Sequence, residues 1–277
     1  MLRTDLAIEQ VTQKMQSEAV ERLPGVRQIE KDEGGIHLTT VVIEDEQGAK
    51  AVGKPVGHYV TAQFPSFGAA AENTPEQVDA VADALRGMLP RDGCCLVVGL
   101  GNADITPDAL GPQAMSLIFP TRHLAGNVQI QGLEHLRPVS ALAPGVLGQT
   151  GMETGEVVAA VVAQTQPTCV IAIDALAAAG AEHLGRTVQL SDTGISPGSG
   201  VQNRRQELSA RTLGVPVIAM GVPTVCDARR QASDEPLMVT PRDIDRLIHR
   251  AAKLLALAAN RALQPELSVE ELTMLVN

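Results

Sequence analysis

The chain has 277 residues, of which 44% are apolar but only 1% aromatic, and its formal net charge is -10. That length allows one large domain or two small ones with a sizeable core, which Ala, Val, Leu and Ile must fill, because there are three Phe, one Tyr and no Trp. An acidic chain this poor in aromatics lacks the clustered cations and stacking platforms that nucleic acids require, so no nucleic-acid partner is expected.

In chain order, the opening residues predict an amphipathic helix reaching roughly to Arg22. Gly34-Gly35 then punctuates; the β-branched stretch Ile36–Glu44 reads as a strand, Gly48–Gly57 as a turn and His58–Phe64 as the hairpin partner. Thr74-Pro75-Glu76-Gln77 is a helix start, with a Thr cap, Pro in the first turn and Gln at the capping-box position. From Cys94 the rhythm becomes strand, glycine loop, helix. Apolar runs at 95–100, 139–143, 170–173, 188–190 and 217–220 alternate with helical patterns at 109–118, 153–164, 175–184 and 204–213. This alternation predicts a mostly parallel, doubly wound α/β sheet, preceded over residues 1–70 by a helix and a small antiparallel hairpin layer. Thr240-Pro241-Arg242-Asp243 caps a long amphipathic helix to about Leu263, and a short one begins near Ser268. No linker or repeat divides the chain, so one domain over 1–277 is expected.

The cysteines, Cys94, Cys95, Cys169 and Cys226, have no CxxC spacing and read as reduced thiols of a cytoplasmic protein. No signal segment and no apolar run of about 18 residues is present, so no membrane partner is expected. The six histidines show no ligand spacing and no metal or other cofactor is called for. There is no GxSxG elbow, and Gly99-x-Gly101 lacks the third glycine of a dinucleotide fingerprint, where Asp104 stands instead.

Four loops following predicted strands carry what chemistry the pattern offers. They are Gly99–Pro112, Ala143–Gly151, Asp174 immediately after the run Cys169–Ile173, and Asp192–Gly200 with Asn203, Arg204 and Arg205 beyond it. Parallel strands would bring them to one sheet edge, where open α/β proteins bind ligands. Asp108 and Asp174 could then face each other across a cleft; two close carboxylates split their pKa values, suiting one to take a proton from water and the other to protonate a leaving amine. An Asp at a strand-to-helix junction can equally be an N-cap, and for both residues the two readings stand side by side. Asn102, Gly145, Asp192, Gly198 and Arg204 are candidates for positioning a substrate or the aspartates, and backbone N–H groups of the two glycine loops for stabilising an oxyanion. The loop at Gly194–Gly200 is either a tight turn or an anion-binding nest. A metal-dependent hydrolase and a non-catalytic nucleotide- or phosphate-binding module are the alternatives.

The strings RTDLA (Arg3–Ala7), VGLGNADITPDALGP (Val98–Pro112), RPVSALAPGVLGQTGMET (Arg137–Thr154), VIAIDALAA (Val170–Ala178), SDTGISPGSGV (Ser191–Val201) and LGVPVIAMGVPTV (Leu213–Val225) closely resemble the germination protease family of spore-forming bacteria. That resemblance implies a fold like those of hydrogenase-maturation proteases and phosphorylase-like hydrolases. It also implies an atypical aspartic endopeptidase of the spore compartment, acting on small acid-soluble spore proteins, with Asp108 and Asp174 as the catalytic pair and a homo-oligomer, a tetramer, as the assembly. The resemblance further implies a zymogen with a pro-segment ahead of the RTDLA motif; only Met1-Leu2 precede that motif here, so the expectation is either a chain already trimmed or a member without that switch. Relatives also carry an insertion where this chain passes almost directly from Ala232-Ser233-Asp234 to Leu237-Met238-Val239.

Overall fold

The computed structural model describes residues 4–68, 72–124, 135–198, 206–228 and 237–276. The strands are β1 (Val26–Glu33), β2 (Ile36–Ile43), β3 (Gly57–Gln63), β4 (Cys95–Gly99), β5 (Val139–Leu142), β6 (Cys169–Ala178), β7 (Thr187–Ser191), β8 (Val217–Asp227) and β9 (Met238–Val239). They form one sheet in the order β1-β2-β3-β7-β8-β6-β4-β5, with β9 on the far end of β8. The helices are α1 (Ala7–Glu18), α2 (Glu46–Val52), α3 (Pro75–Arg86), α4 (Leu110–Met115), α5 (Leu147–Thr150), α6 (Thr154–Thr165), α7 (Ala210–Leu213), α8 (Ile244–Leu263) and α9 (Val269–Val276).

The apolar runs predict the centre of this sheet. Strands β5, β4, β6 and β8 are parallel, and each of β4, β6 and β8 is buried nearly throughout, as strands covered on both faces must be. Alternate residues divide between two cores. Cys95, Val97, Ile171 and Ile173 pack with α3, α4, α8 and α9, while Leu96, Val98, Val170 and Ala172 meet Val158 and Val162 of α6 on the other face. On that second face α1 and α2 cover the N-terminal half of the sheet through Ala7, Val11, Val41, Ile43 and Tyr59. The capping box at α3 forms as its sequence demands.

Five expectations change. The N-terminal hairpin is joined to the main sheet through β3 and β7, and β7 runs antiparallel to both its neighbours. β2 does pair with β3, but also with β1, whose sequence VRQIEKDE carries no apolar alternation because it is the exposed edge; its charges suit an edge that must not recruit another chain. The first half of the turn expected at 48–57 belongs to α2, which is capped by the Asp45 carboxylate accepting from the Gly48 N–H. The helix expected at 175–184 is instead the end of β6, since the ladder with β8 from Asp174 to Ala178 outweighs the helical preference of Ala and Leu. Of the helix expected at 204–213 the described residues contain only α7.

Candidate active site

Asp108 closes a single 3-10 turn, Thr106–Asp108, between β4 and α4. Glycines bring that turn onto the sheet: a Cβ on Gly111 would stand 2.2 Å from the Leu100 carbonyl oxygen, and one on Gly99 would stand 2.3 Å from that of Gly111. Gly101 adopts φ +115, and its Cα faces the Asp108 carbonyl so closely that a Cβ would lie 2.0 Å away. The half-buried Asp108 carboxylate accepts from the Asn102 N–H at 2.8 Å, and its own N–H donates to the Ile105 carbonyl at 2.8 Å. The carboxylate thus reaches back along its own loop, and α4 is left without a side-chain cap.

Asp174 lies within β6, only 5% exposed, and its carboxylate accepts from the Ala175 N–H at 2.9 Å. No helix follows it, which removes the N-cap reading. Opposite stands Gly221 of β8, where a Cβ would come within 2.2 Å of the Asp174 carbonyl oxygen. Just beyond, the β6–β8 register slips between Leu176 and Ala177, skipping Thr224 in the pairing. Bulges of this kind re-aim side chains beside functional sites, and here the Thr224 hydroxyl donates to the Pro107 carbonyl at 2.7 Å. The bulge of one strand therefore holds the turn that carries Asp108.

Asp108 and Asp174 line one cleft of about 400 Å³, together with Asp5, Ile105, Gly198 and Thr224. Asp5 is a third carboxylate that sequence reasoning passed over. Its carboxylate accepts from the Ala177 N–H at 2.8 Å and its own N–H donates to the Ala177 carbonyl, a contact spanning 172 residues that no local pattern reveals. Its carbonyl accepts from the Lys54 amine at 3.0 Å. Burial pushes that amine below the ordinary lysine value, with the Asp5 charge opposing.

The remaining candidates divide. Gly198 lines the cleft. Asn102 does not, but it supports Asp108 through its N–H and takes the Asp104 N–H and the Gln149 amide on its side-chain oxygen. Gly145, at φ +75, starts the loop that delivers Gln149 and is itself outside the lining. Asp192 faces elsewhere, because its two oxygens hold the backbone N–H and the ring of His58. Arg204 lies outside the described residues. Among the described residues, the one group of three ligand-type side chains close enough for a shared ion is Glu9, Glu182 and His183, which includes neither aspartate. No helix among them is long and apolar enough to cross a membrane.

An acidic cleft beside the parallel strands of an α/β sheet is the setting of a hydrolase, and comparison with known proteins makes that class a peptidase. The chain belongs to the germination protease family, whose family model, described as Germination protease, matches residues 3–236. The germination protease of Caldanaerobacter subterraneus subsp. tengcongensis is 40% identical, over all of this chain and 98% of that one. That of Clostridium tetani is 38% identical over 100% of this chain and 99% of its own, and that of Bacillus subtilis 47% identical over 84% of this chain and 66% of its own. The first alignment extends to 325 positions against 277 residues here, so that relative carries residues this chain lacks. Among solved structures, the [NiFe] hydrogenase maturation protease HycI from Thermococcus kodakarensis is 16% identical, with TM-score 0.35, over 64% of this chain and 98% of that one.

Proposed function

We propose that this chain is an endopeptidase that begins the breakdown of small acid-soluble spore proteins at germination, with Asp108 and Asp174 activating water between them. The observation that carries this reading is that two carboxylates, distant in sequence, line the same cleft, with Asp174 nearly removed from solvent. In this reading the two carboxylates share one proton across the cleft, as carboxylates of a common site do when double ionisation is unfavourable. The ionised member takes a proton from water as the oxygen attacks the scissile carbonyl carbon. The protonated member gives its proton to the amide nitrogen as the C–N bond breaks, and the pair ends the turnover with its proton on the opposite residue. The Asn102 N–H on Asp108 and the Ala175 N–H on Asp174 fix the orientation of each carboxylate. Ile105, 53% exposed at the rim, offers an apolar contact to an entering chain.

The test is cleavage of a purified small acid-soluble spore protein by Asp108→Asn and Asp174→Asn, with a chelator present. Both variants are expected to lose at least about a hundredfold in kcat while folding normally. Wild-type turnover by either would overturn the pair, and loss of wild-type activity to the chelator, restored by one divalent ion, would favour metal-assisted hydrolysis.

A further inference from the structure

A second chamber of about 500 Å³ adjoins the cleft, and Asp5 and Leu176 line both. Its floor is the face of the sheet that carries Asp174. In register across the strands stand Asp174 on β6, Gly221 on β8, Gln189 on β7 and Thr61 on β3, and residues paired in this way project to the same face. Gly221 puts no side chain between Asp174 and Gln189. Gln189 is 9% exposed; its amide oxygen is occupied by the Thr61 hydroxyl at 2.8 Å, whereas its amide nitrogen is buried with no partner among the described residues. A buried amide donor left unpaired is costly, so its presence at a chamber wall points to an acceptor that arrives from outside. The Lys54 amine lines the same chamber.

We propose that this chamber is a substrate subsite, in which the Gln189 amide N–H, seconded by the Lys54 amine, holds an oxygen of the bound peptide. The inference rests on the aspartate cleft being where the bond is cut. Two strand spacings separate the Asp174 and Gln189 backbones by about 10 Å, and an extended chain advances about 3.3–3.6 Å per residue. The oxygen therefore belongs to a residue within about three of the scissile bond, as a side-chain or a main-chain acceptor. Gln189 is a positioning residue for substrate and takes no part in proton transfer.

The test is steady-state cleavage of a spore-protein substrate by Gln189→Met and, as a second variant of native shape, Gln189→Glu, with Thr61→Val as a control that removes only the interstrand bond. Both Gln189 variants are expected to raise KM about tenfold, the equivalent of one lost hydrogen bond of about 1.4 kcal/mol, with kcat within about threefold; Thr61→Val should hold KM within about twofold. Peptides with each oxygen-bearing side chain near the cut replaced by an apolar one identify the acceptor. If one such peptide abolishes the difference between wild type and Gln189→Met, the acceptor is that side chain; if none does while the variant still raises KM, it is a main-chain carbonyl. An unchanged KM in both Gln189 variants, or an equal rise in Thr61→Val, overturns the subsite. Should Asp108→Asn and Asp174→Asn be inactive in the same assay, that failure belongs to the subsite alone; should either be active, the cleft assignment fails first.

Discussion

The hydroxyl of Thr224 donates to the carbonyl of Pro107 at 2.7 Å, joining the bulge of β8 to the turn that ends in Asp108. Thr224 is 1% exposed, and its partner carbonyl is one residue from the carboxylate. Thr224→Val keeps the shape and deletes the bond, which should cost about 1–3 kcal/mol in stability. Because small misplacements of a reacting group are expensive, kcat should fall about tenfold or more, and Thr224→Ser should restore most of it. Equal kcat in wild type and Thr224→Val, measured with thermal unfolding on the same samples, would show that the turn needs no such anchor.

Gly101 meets the same turn from the other side. An added methyl would stand 2.0 Å from the Asp108 carbonyl oxygen, at a φ of +115 that L residues rarely adopt. Gly101→Ala should therefore lose at least about a hundredfold in activity and about 1–3 kcal/mol in stability. Gly148, in α5, has nothing within 4 Å of its added Cβ, so Gly148→Ala should leave activity near wild type. Comparable losses in the two variants would mean that the close approach at Gly101 is not what matters.

The contrast between these loops and their partners bears on what a sequence discloses. Leu96, Val97 and Val98 announce a strand buried on both sides, and the glycines and aspartates after it announce a ligand-binding junction, because both signals are local. The continuation of β6 through Asp174 is not local. Ala175, Leu176, Ala177 and Ala178 favour a helix in isolation, and only the ladder with β8 draws them into a strand. Asp5 and Gln189 enter the site in the same way, through partners far along the chain, and so neither is distinguishable in sequence from an ordinary loop aspartate or strand glutamine. β1 is hidden for the opposite reason: an exposed edge has no apolar face to display.

Stability can be separated from activity at Asn260, a buried polar residue on α8. Its side-chain oxygen accepts from the Phe119 N–H and its amide donates to the Leu117 carbonyl, both at 2.9 Å. Asn260→Leu leaves both backbone groups unpaired, at about 1–3 kcal/mol each. Chemical denaturation should register that loss, whereas KM and kcat below the unfolding transition should stay within about threefold. A selective fall in kcat would instead tie α8 to the cleft.

The chamber also makes a prediction about alkaline pH. Burial pushes the Tyr59 phenol up to about 12, against the pull of its hydrogen bond with Thr193 and with the Asp192 charge adding to the rise. An unfolded tyrosine ionises near 10, so the folded state holds this proton more tightly. The stabilising contribution is then complete below about pH 10 and is lost as pH rises towards 12. Tyr59→Phe should be somewhat less stable than wild type at neutral pH, because Pro55 and Thr193 lose their phenol partner, yet the gap should close between pH 10 and 12. A gap that stays constant across that range would mean that the phenol ionises as readily in the folded protein as in the unfolded chain.

Gly221 is where cleft and chamber can be closed against each other. It pairs with Asp174 on one side and Gln189 on the other, and a Cβ there would stand 2.2 Å from the Asp174 carbonyl oxygen and 2.9 Å from Leu176 Cγ. Gly221→Ala must therefore push β6 away at Asp174, one of the two carboxylates proposed to activate water, and put a methyl into the gap leading to the Gln189 amide. The first effect lowers kcat; the second raises KM for an extended peptide. Both should appear together in Gly221→Ala, whereas Thr224→Val should lower kcat with little change in KM, since it moves Asp108 without touching the chamber. Loss of kcat alone in Gly221→Ala would place the substrate path on the other side of Asp174.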